Sequence, residues 1–202
     1  MQKSLFIALF ISLLGGCVSL DLSPKNIPSI VYVLADAPAP PLPVGPSHPH
    51  TLLVEATHAS TYDDNEDLVF SSKPNTRGRY KYARWSERPS VKLSELLFNR
   101  FVNAQLYATV VNAGSDVTAD RRLSTELLAF YHDASTNPGK VHIALRAELF
   151  DTLHHRLIAR RLFEQNTPLV SYDAAGAAAA FNLANQALLT DISNWLSTAE
   201  TP

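Results

Sequence analysis

Cys17 is the one residue in the chain whose type and position prescribe a covalent reaction. It is the only cysteine among 202 residues, and it closes the run Leu13-Leu14-Gly15-Gly16-Cys17. Lys3 gives a positive start, and residues 5–14 form an apolar stretch too short to span a bilayer as a lasting helix. Gly15 and Gly16 leave a peptidase room to reach the backbone just before the thiol. The pattern resembles a bacterial lipoprotein signal: cleavage before Cys17, a diacylglycerol in thioether linkage on its sulfur, and an acyl group on the new amine. Each buried methylene contributes about 0.8 kcal/mol and one chain holds only marginally, so two or three acyl chains make a stable anchor. Val18, not an aspartate, follows the cysteine, which favours delivery to the outer membrane. The competing readings are an ordinary secretory signal with a chance cysteine, or a short N-terminal membrane helix.

Other chemistry is thin. Seven histidines invite a metal hypothesis, but their spacing opposes it. His48 and His50 flank a proline in a flexible stretch, and His154 and His155 are adjacent, so in a strand they face opposite ways. His132 and His142 lie near the ends of a strand pair and could approach each other. No HExxH or paired Cys/His spacing is present, so surface histidines are the favoured reading and no metal is expected. Asp63, Asp64, Glu66 and Asp67 lack the glycine and the distal glutamate of a calcium loop, and read as a solvated, mobile loop. There is no GxSxG elbow, Walker-type loop or GxGxxG, so neither a catalytic site nor a cofactor is expected. These residues specify a lipid-anchored, non-catalytic binding or assembly module.

Composition agrees. Loss of residues 1–16 removes Lys3 and no acid, leaving 16 basic and 19 acidic residues and a formal charge of −3. That mild acidity gives no electrostatic reason to expect nucleic acid or an anionic membrane surface as a partner. The length suits one domain with its own core. With no second cysteine, the core must be held by packing alone.

The elements that position these residues follow from periodicity. Residues 17–29 read as a tether and residues 30–200 as the domain. Ile30-Val31-Tyr32-Val33-Leu34 is β-branched and aromatic, a first strand. Residues 37–49 are proline-rich and favour polyproline II at about 3.1 Å per residue, as a semi-rigid spacer or a surface loop. Residues 52–57, 68–71 and 79–83 read as strands, the last two joined as a hairpin through Pro74, Asn75 and Gly78. Pro89 and Ser90 open a helix that Ser86 or Ser90 caps, with Leu93, Leu97, Phe101 and Ala104 on the buried face and Leu96 and Tyr107 beside it. Residues 122–164 read as three consecutive strands, with Val141, Ile143, Leu145, Ala147 and Leu149 alternating against polar residues. Asp173 caps a last helix running to about Ser197. Ala177, Phe181, Ala184, Leu188, Ile192 and Trp195 form its apolar stripe, and Asn182, Gln186, Thr190 and Ser193 its wet side. The order implies an α/β single-domain sandwich, a mixed and largely antiparallel sheet flanked by two main helices.

Several stretches together resemble the ABC-type transport auxiliary lipoprotein family, paraquat-inducible protein C-like companions of MCE (mammalian cell entry) lipid-transport systems. The likeness lies in the lipobox, Tyr32-Val33-Leu34, Leu68-Val69-Phe70, Tyr80 and above all Ala83-Arg84-Trp85-Ser86-Glu87-Arg88-Pro89. It resumes at Ala159-Arg160-Arg161-Leu162-Phe163-Glu164 and Pro168-Leu169, and ends with Ala180-Phe181-Asn182 and Trp195-Leu196. The proline-rich segment is longer than the pattern, and acids follow Tyr62 where small and apolar residues would stand. The resemblance implies a domain similar to the N-terminal domain of TolB, held at the periplasmic face of the outer membrane of a Gram-negative bacterium. It also implies an MCE-domain tunnel protein as partner, phospholipid as cargo and a ring-like homo-oligomer, with no catalytic residues to carry over. Tyr80, Tyr82, Arg84 and Trp85 are the candidate partner contacts, since Tyr, Trp and Arg dominate interface energetics; alternatively Trp85 packs at the sheet edge. A second reading is a TolB-like lipoprotein regulator of cell-wall synthesis, and a third a small envelope enzyme.

Mass spectrometry of the mature chain should find Cys17 as a blocked, acylated N-terminus. Cys17→Ser should leave an uncleaved or soluble form. A free thiol at Cys17 on the mature chain would contradict the assignment.

Overall fold

The alternating run from Val141 to Leu149 seeds the core: its inward side chains are almost wholly buried, while His142, Arg146 and Glu148 stay at the surface. The computed structural model describes residues 28–36, 48–59 and 62–200. Cys17, the signal and most of the tether and of the proline-rich segment lie outside the described residues.

The elements are β1 (Ile30–Tyr32), β2 (His48–Val54), β3 (His58–Ala59), β4 (Asp67–Ser71), β5 (Gly78–Trp85), α1 (Pro89–Ala104), β6 (Tyr107–Asn112), β7 (Arg121–Asp133), β8 (Lys140–Asp151), β9 (Arg156–Pro168) and α2 (Ala174–Thr198). They form one mixed sheet with the order β1-β5-β4-β7-β2-β6, with β3 also on β7 and β9 joined through β8. The long β7–β8 and β8–β9 ladders are antiparallel, as short turns demand. The short pairings of β1 with β5, β2 with β6, and β2, β3 and β4 with β7 are parallel. α2 packs on β8, β9 and α1, and α1 on β2 and β6, so a single apolar layer lies between sheet and helices.

The α/β class with two helices is as the sequence implies, but several local expectations are corrected. Tyr107 does not belong to α1 but opens β6. Gln105 turns left-handed at φ 49°, its N–H returns to Phe101 and Val102, and the chain reverses into β6. Neither serine caps α1: Arg88 stands at the N-cap without a side-chain bond, and Asp64 from a distant loop accepts from the Ser90 N–H and hydroxyl at 2.8 Å each. The acidic segment is therefore not a solvated loop. Asp63 is 1% exposed, takes Arg77 Nε at 2.6 Å and accepts from the Phe130 amide at 3.3 Å. Glu66 pairs with Arg84 and Asp67 with Arg79.

The proline-rich segment is not a spacer reaching 49. His48 and Pro49 belong to β2, and His48 Nε2 donates to the Leu196 carbonyl at 3.0 Å. On the near side β1 already lies in the sheet and Asp36 is ion-paired with Arg100. Residues 37–47, outside the described residues, thus join two parts of one domain. On α2, Asp173 caps as expected, accepting from Gly176 N at 2.7 Å. Gly176 is required there, because a Cβ would stand 2.3 Å from the Ser171 carbonyl oxygen. Ser193, assigned to the wet side, is buried, and Trp195 is only half-buried, its ring edge against Phe163 at 5.7 Å.

The aromatic anchor of the core is Trp85, 2% exposed, set edge-on against Phe130 at 5.7 Å and Phe181 at 5.4 Å. Phe130 and Phe181 stack at 4.3 Å, so β5, β7 and α2 are joined at one point. Trp85→Ala should therefore cost about 3–5 kcal/mol, and Trp195→Ala under about 2 kcal/mol, in urea unfolding. Equal losses would contradict this assignment. Asp64→Ala should cost about 1 kcal/mol through the lost cap.

Candidate interaction site on the fifth strand

The four residues singled out as partner contacts all lie on β5, but the strand sends them in different directions. Between Arg84 and Arg79 β5 takes five steps while its partner β4 takes two, from Asp67 to Val69. Such an excess of residues is a bulge, which re-aims side chains and breaks the simple alternation of a strand. Within this stretch Tyr80 and Ala83 face the core, as does Trp85 beyond it, whereas Lys81 and Tyr82 stand outward.

Trp85 offers a partner no surface: the packing reading is the one its burial supports. Tyr80 is an internal strut. Its ring lies parallel to that of His132 and edge-on to Phe70. Its hydroxyl is 2.8 Å from His132 Nδ1. His132 Nε2 lies 3.1 Å from the Pro138 carbonyl, which can only accept, so Nε2 holds the proton and Nδ1 accepts from Tyr80. Burial first, then the Tyr172 and Asp173 charges, pushes the Tyr80 hydroxyl up to about 12. Burial likewise lowers the His132 pKa below its usual 6.5. Gly139 is needed beneath this ring: its φ is +81°, and a Cβ would meet His132 Nε2 at 2.7 Å. His132 and His142 do not converge, because His132 points inward while the His142 ring sits edge-on to Tyr131.

Tyr82 and Arg84 remain as surface groups. Tyr82 is well exposed, with Lys81 Nζ 5.1 Å from its ring centroid, and hydrogen bonding to the Tyr82 side chain raises the Lys81 pKa. Arg84 and Glu66 form a half-exposed ion pair at 3.0 Å beside Val31 of β1. Tyrosine, arginine and lysine thus stand together on a bulged strand next to the edge strand β1.

Elsewhere several polar groups gather in one cleft. His58, Ser124, Thr125, Glu126, Arg146 and Glu148 line a cleft of about 340 Å³. Within it Glu126 is ion-paired with Arg146, Glu148 with Arg160, and Thr125 with Thr57 by hydroxyls 2.8 Å apart. Among the described residues no group of three or more His, Asp or Glu is placed to hold a metal, and no helix is long and apolar enough to cross a membrane. Asp151, missed in the sequence, accepts from the His154 side chain at 3.0 Å and from its amide. These bonds bring its carboxyl down to about 2.

Residues 32–193 match the family described as ABC-type transport auxiliary lipoprotein component. The chain belongs to this family, a class of lipoproteins held at a membrane and facing the periplasm. The fold is that of protein XCC0632 from Xanthomonas campestris, with 24% identity over 85% of this chain and 96% of that one, at a TM-score of 0.78. The hypothetical protein CT253 from Chlamydia trachomatis is similar at 13% identity over 75% and 97% of the two chains, at a TM-score of 0.56. No curated protein matches the chain in sequence.

Because His132 is held neutral, its contribution to stability is complete above the unfolded value of 6.5 and is lost as pH falls through its lower folded value. Urea unfolding from about pH 7.5 to 5 should show this loss, and His132→Gln should flatten it. A wild-type stability that rises on acidification through this window would contradict the buried neutral ring.

Proposed function

We propose that this chain is a non-enzymatic accessory subunit of an MCE/ABC-type system that moves lipid between membranes, anchored by acylated Cys17 to the periplasmic face of the outer membrane. The observation that supports this reading most is the family correspondence over residues 32–193, which names ABC-type transport. The lipobox ending at Cys17 supplies the anchor, residues 17–29 the tether and residues 30–200 the docking domain. The anchored domain meets an MCE-domain tunnel protein as a ring-like homo-oligomer. Tyr82 and Arg84 on the β5 bulge are its contact residues, while Tyr80 and Trp85 hold that bulge in place from beneath. Phospholipid is the cargo class, passed by the tunnel rather than bound in this domain.

Affinity purification of the full-length protein from detergent-solubilised membranes should recover an MCE-domain protein. Tyr82→Ala combined with Arg84→Ala should reduce that recovery at least about tenfold, the effect of roughly 1.4 kcal/mol, while leaving Cys17 acylation and thermal stability unchanged. Recovery of cell-wall synthases without any MCE protein would replace this reading by that of a wall-synthesis regulator.

A further inference from the structure

The tether joins the domain at the edge of the sheet, and the surface there is unusually apolar. Among the described residues β1 pairs with β5 on one side only. Ile30, Val31 and Val33 of this segment, Tyr82 of the adjoining bulge and Leu183 of α2 are between 40% and 59% exposed. They are carried by adjoining segments. Ile30 is in register with Ala83, the residue after Tyr82, and Asn182, the residue before Leu183, donates to the Val33 carbonyl and accepts from the Ala35 amide. Single exposed apolar residues are ordinary, but a cluster marks a contact surface.

The charge around the cluster is also distinctive. Lys81 projects beside Tyr82, while the nearby carboxylates are tied up: Glu66 by Arg84 and Asp36 by Arg100. Aliphatic side chains, a tyrosine with a polar tip and a lysine on a flexible stem are the residues that settle at the boundary of headgroups and acyl chains.

Tether length selects the occupant. Residues 18–29 comprise 12 residues between Cys17 and β1. A coil of that many residues spans roughly 20 Å on average, against a diameter of roughly 40 Å for a domain of this size. An anchor that short keeps the surface where it joins close to the bilayer and at high effective concentration there. We propose that the patch formed by Ile30, Val31, Val33, Tyr82 and Leu183 rests on the lipid surface that holds the acylated Cys17, and so fixes the orientation of the domain on its membrane. The proposal rests on the Cys17 anchor assigned above. Tyr82 then stands at the boundary between lipid and partner, and Arg84 on the partner side.

The test uses full-length, membrane-matured protein reconstituted in phosphatidylethanolamine/phosphatidylglycerol vesicles. An acylated Cys17 has no free thiol, so Val33→Cys, Leu183→Cys and a control, Leu153→Cys in the β8–β9 turn at the far side of the sheet, each take one environment-sensitive fluorophore. Lipids bearing a collisional quencher should reduce the emission at positions 33 and 183 at least twofold and leave position 153 unchanged. Absence of quenching at 33 and 183, or equal quenching at all three, would overturn the proposal. So would shielding of 33 and 183 that depends on protein concentration and not on lipid, since a second copy would then cover the patch. Uptake of the fluorophore by wild-type protein at Cys17 would instead sink the anchor assignment, and the patch with it.

Discussion

Everything in this fold depends on how the free edge of β7 is covered. β8 occupies one edge along its whole length, from Arg121 to Asp133. No single strand matches it on the other. β2 takes residues 121–123, β3 residues 126 and 127, and β4 residues 132 and 133. Between β3 and β4 the ladder shifts register, and the Phe130 amide would be buried without a strand partner. Leaving such a group unmet costs about 1–3 kcal/mol. The Asp63 carboxylate meets it, and Arg77 supplies the opposing charge. One residue later Asp64 takes the first-turn amide of α1. One short acidic loop therefore closes the sheet and starts a helix.

This arrangement decides what the surface can do. Covering β7 with separate short strands sets β4 and β5 apart as a branch, tied back through Trp85 to Phe130 and Phe181. The extra residues of β5 are taken up in a bulge, and the bulge puts Lys81 and Tyr82 outside while Tyr80 props it against His132. Lys81 and Tyr82 thus stand on the outer side of the strand next to edge strand β1, close to the tether.

Much of this was legible in the residues. The β8 alternation, the β4–β5 hairpin, Pro89 at the start of α1 and Asp173 at the start of α2 are local signals, and local signals survive. The failures share a cause. β3 is two residues long, and β6 follows a helix stop at Gln105 without glycine or proline to announce it. The parallel pairings on β7 depend on partners far away in sequence, which no turn motif encodes. The acids after Tyr62 look like solvent-facing residues because their partners, Phe130, Arg77, Ser90 and Arg84, are separated from them along the chain. For the site, residue types pointed to β5, but a bulge changes which side chain faces out, and strict alternation cannot show it. Of the two readings open for Trp85, burial supports packing, while Trp195, expected as a core anchor on α2, is half-buried.

The central claim is that the outward side of the β5 bulge meets an MCE-domain protein while its inward side only holds the fold. Site-specific photocrosslinking in intact cells tests this most directly, with a photoreactive residue at position 82 and, in separate cells, at position 153. The account requires an MCE-domain protein to be captured from position 82 and not from 153. Capture of that protein from 153 alone, or of other envelope proteins only from 82, would contradict it.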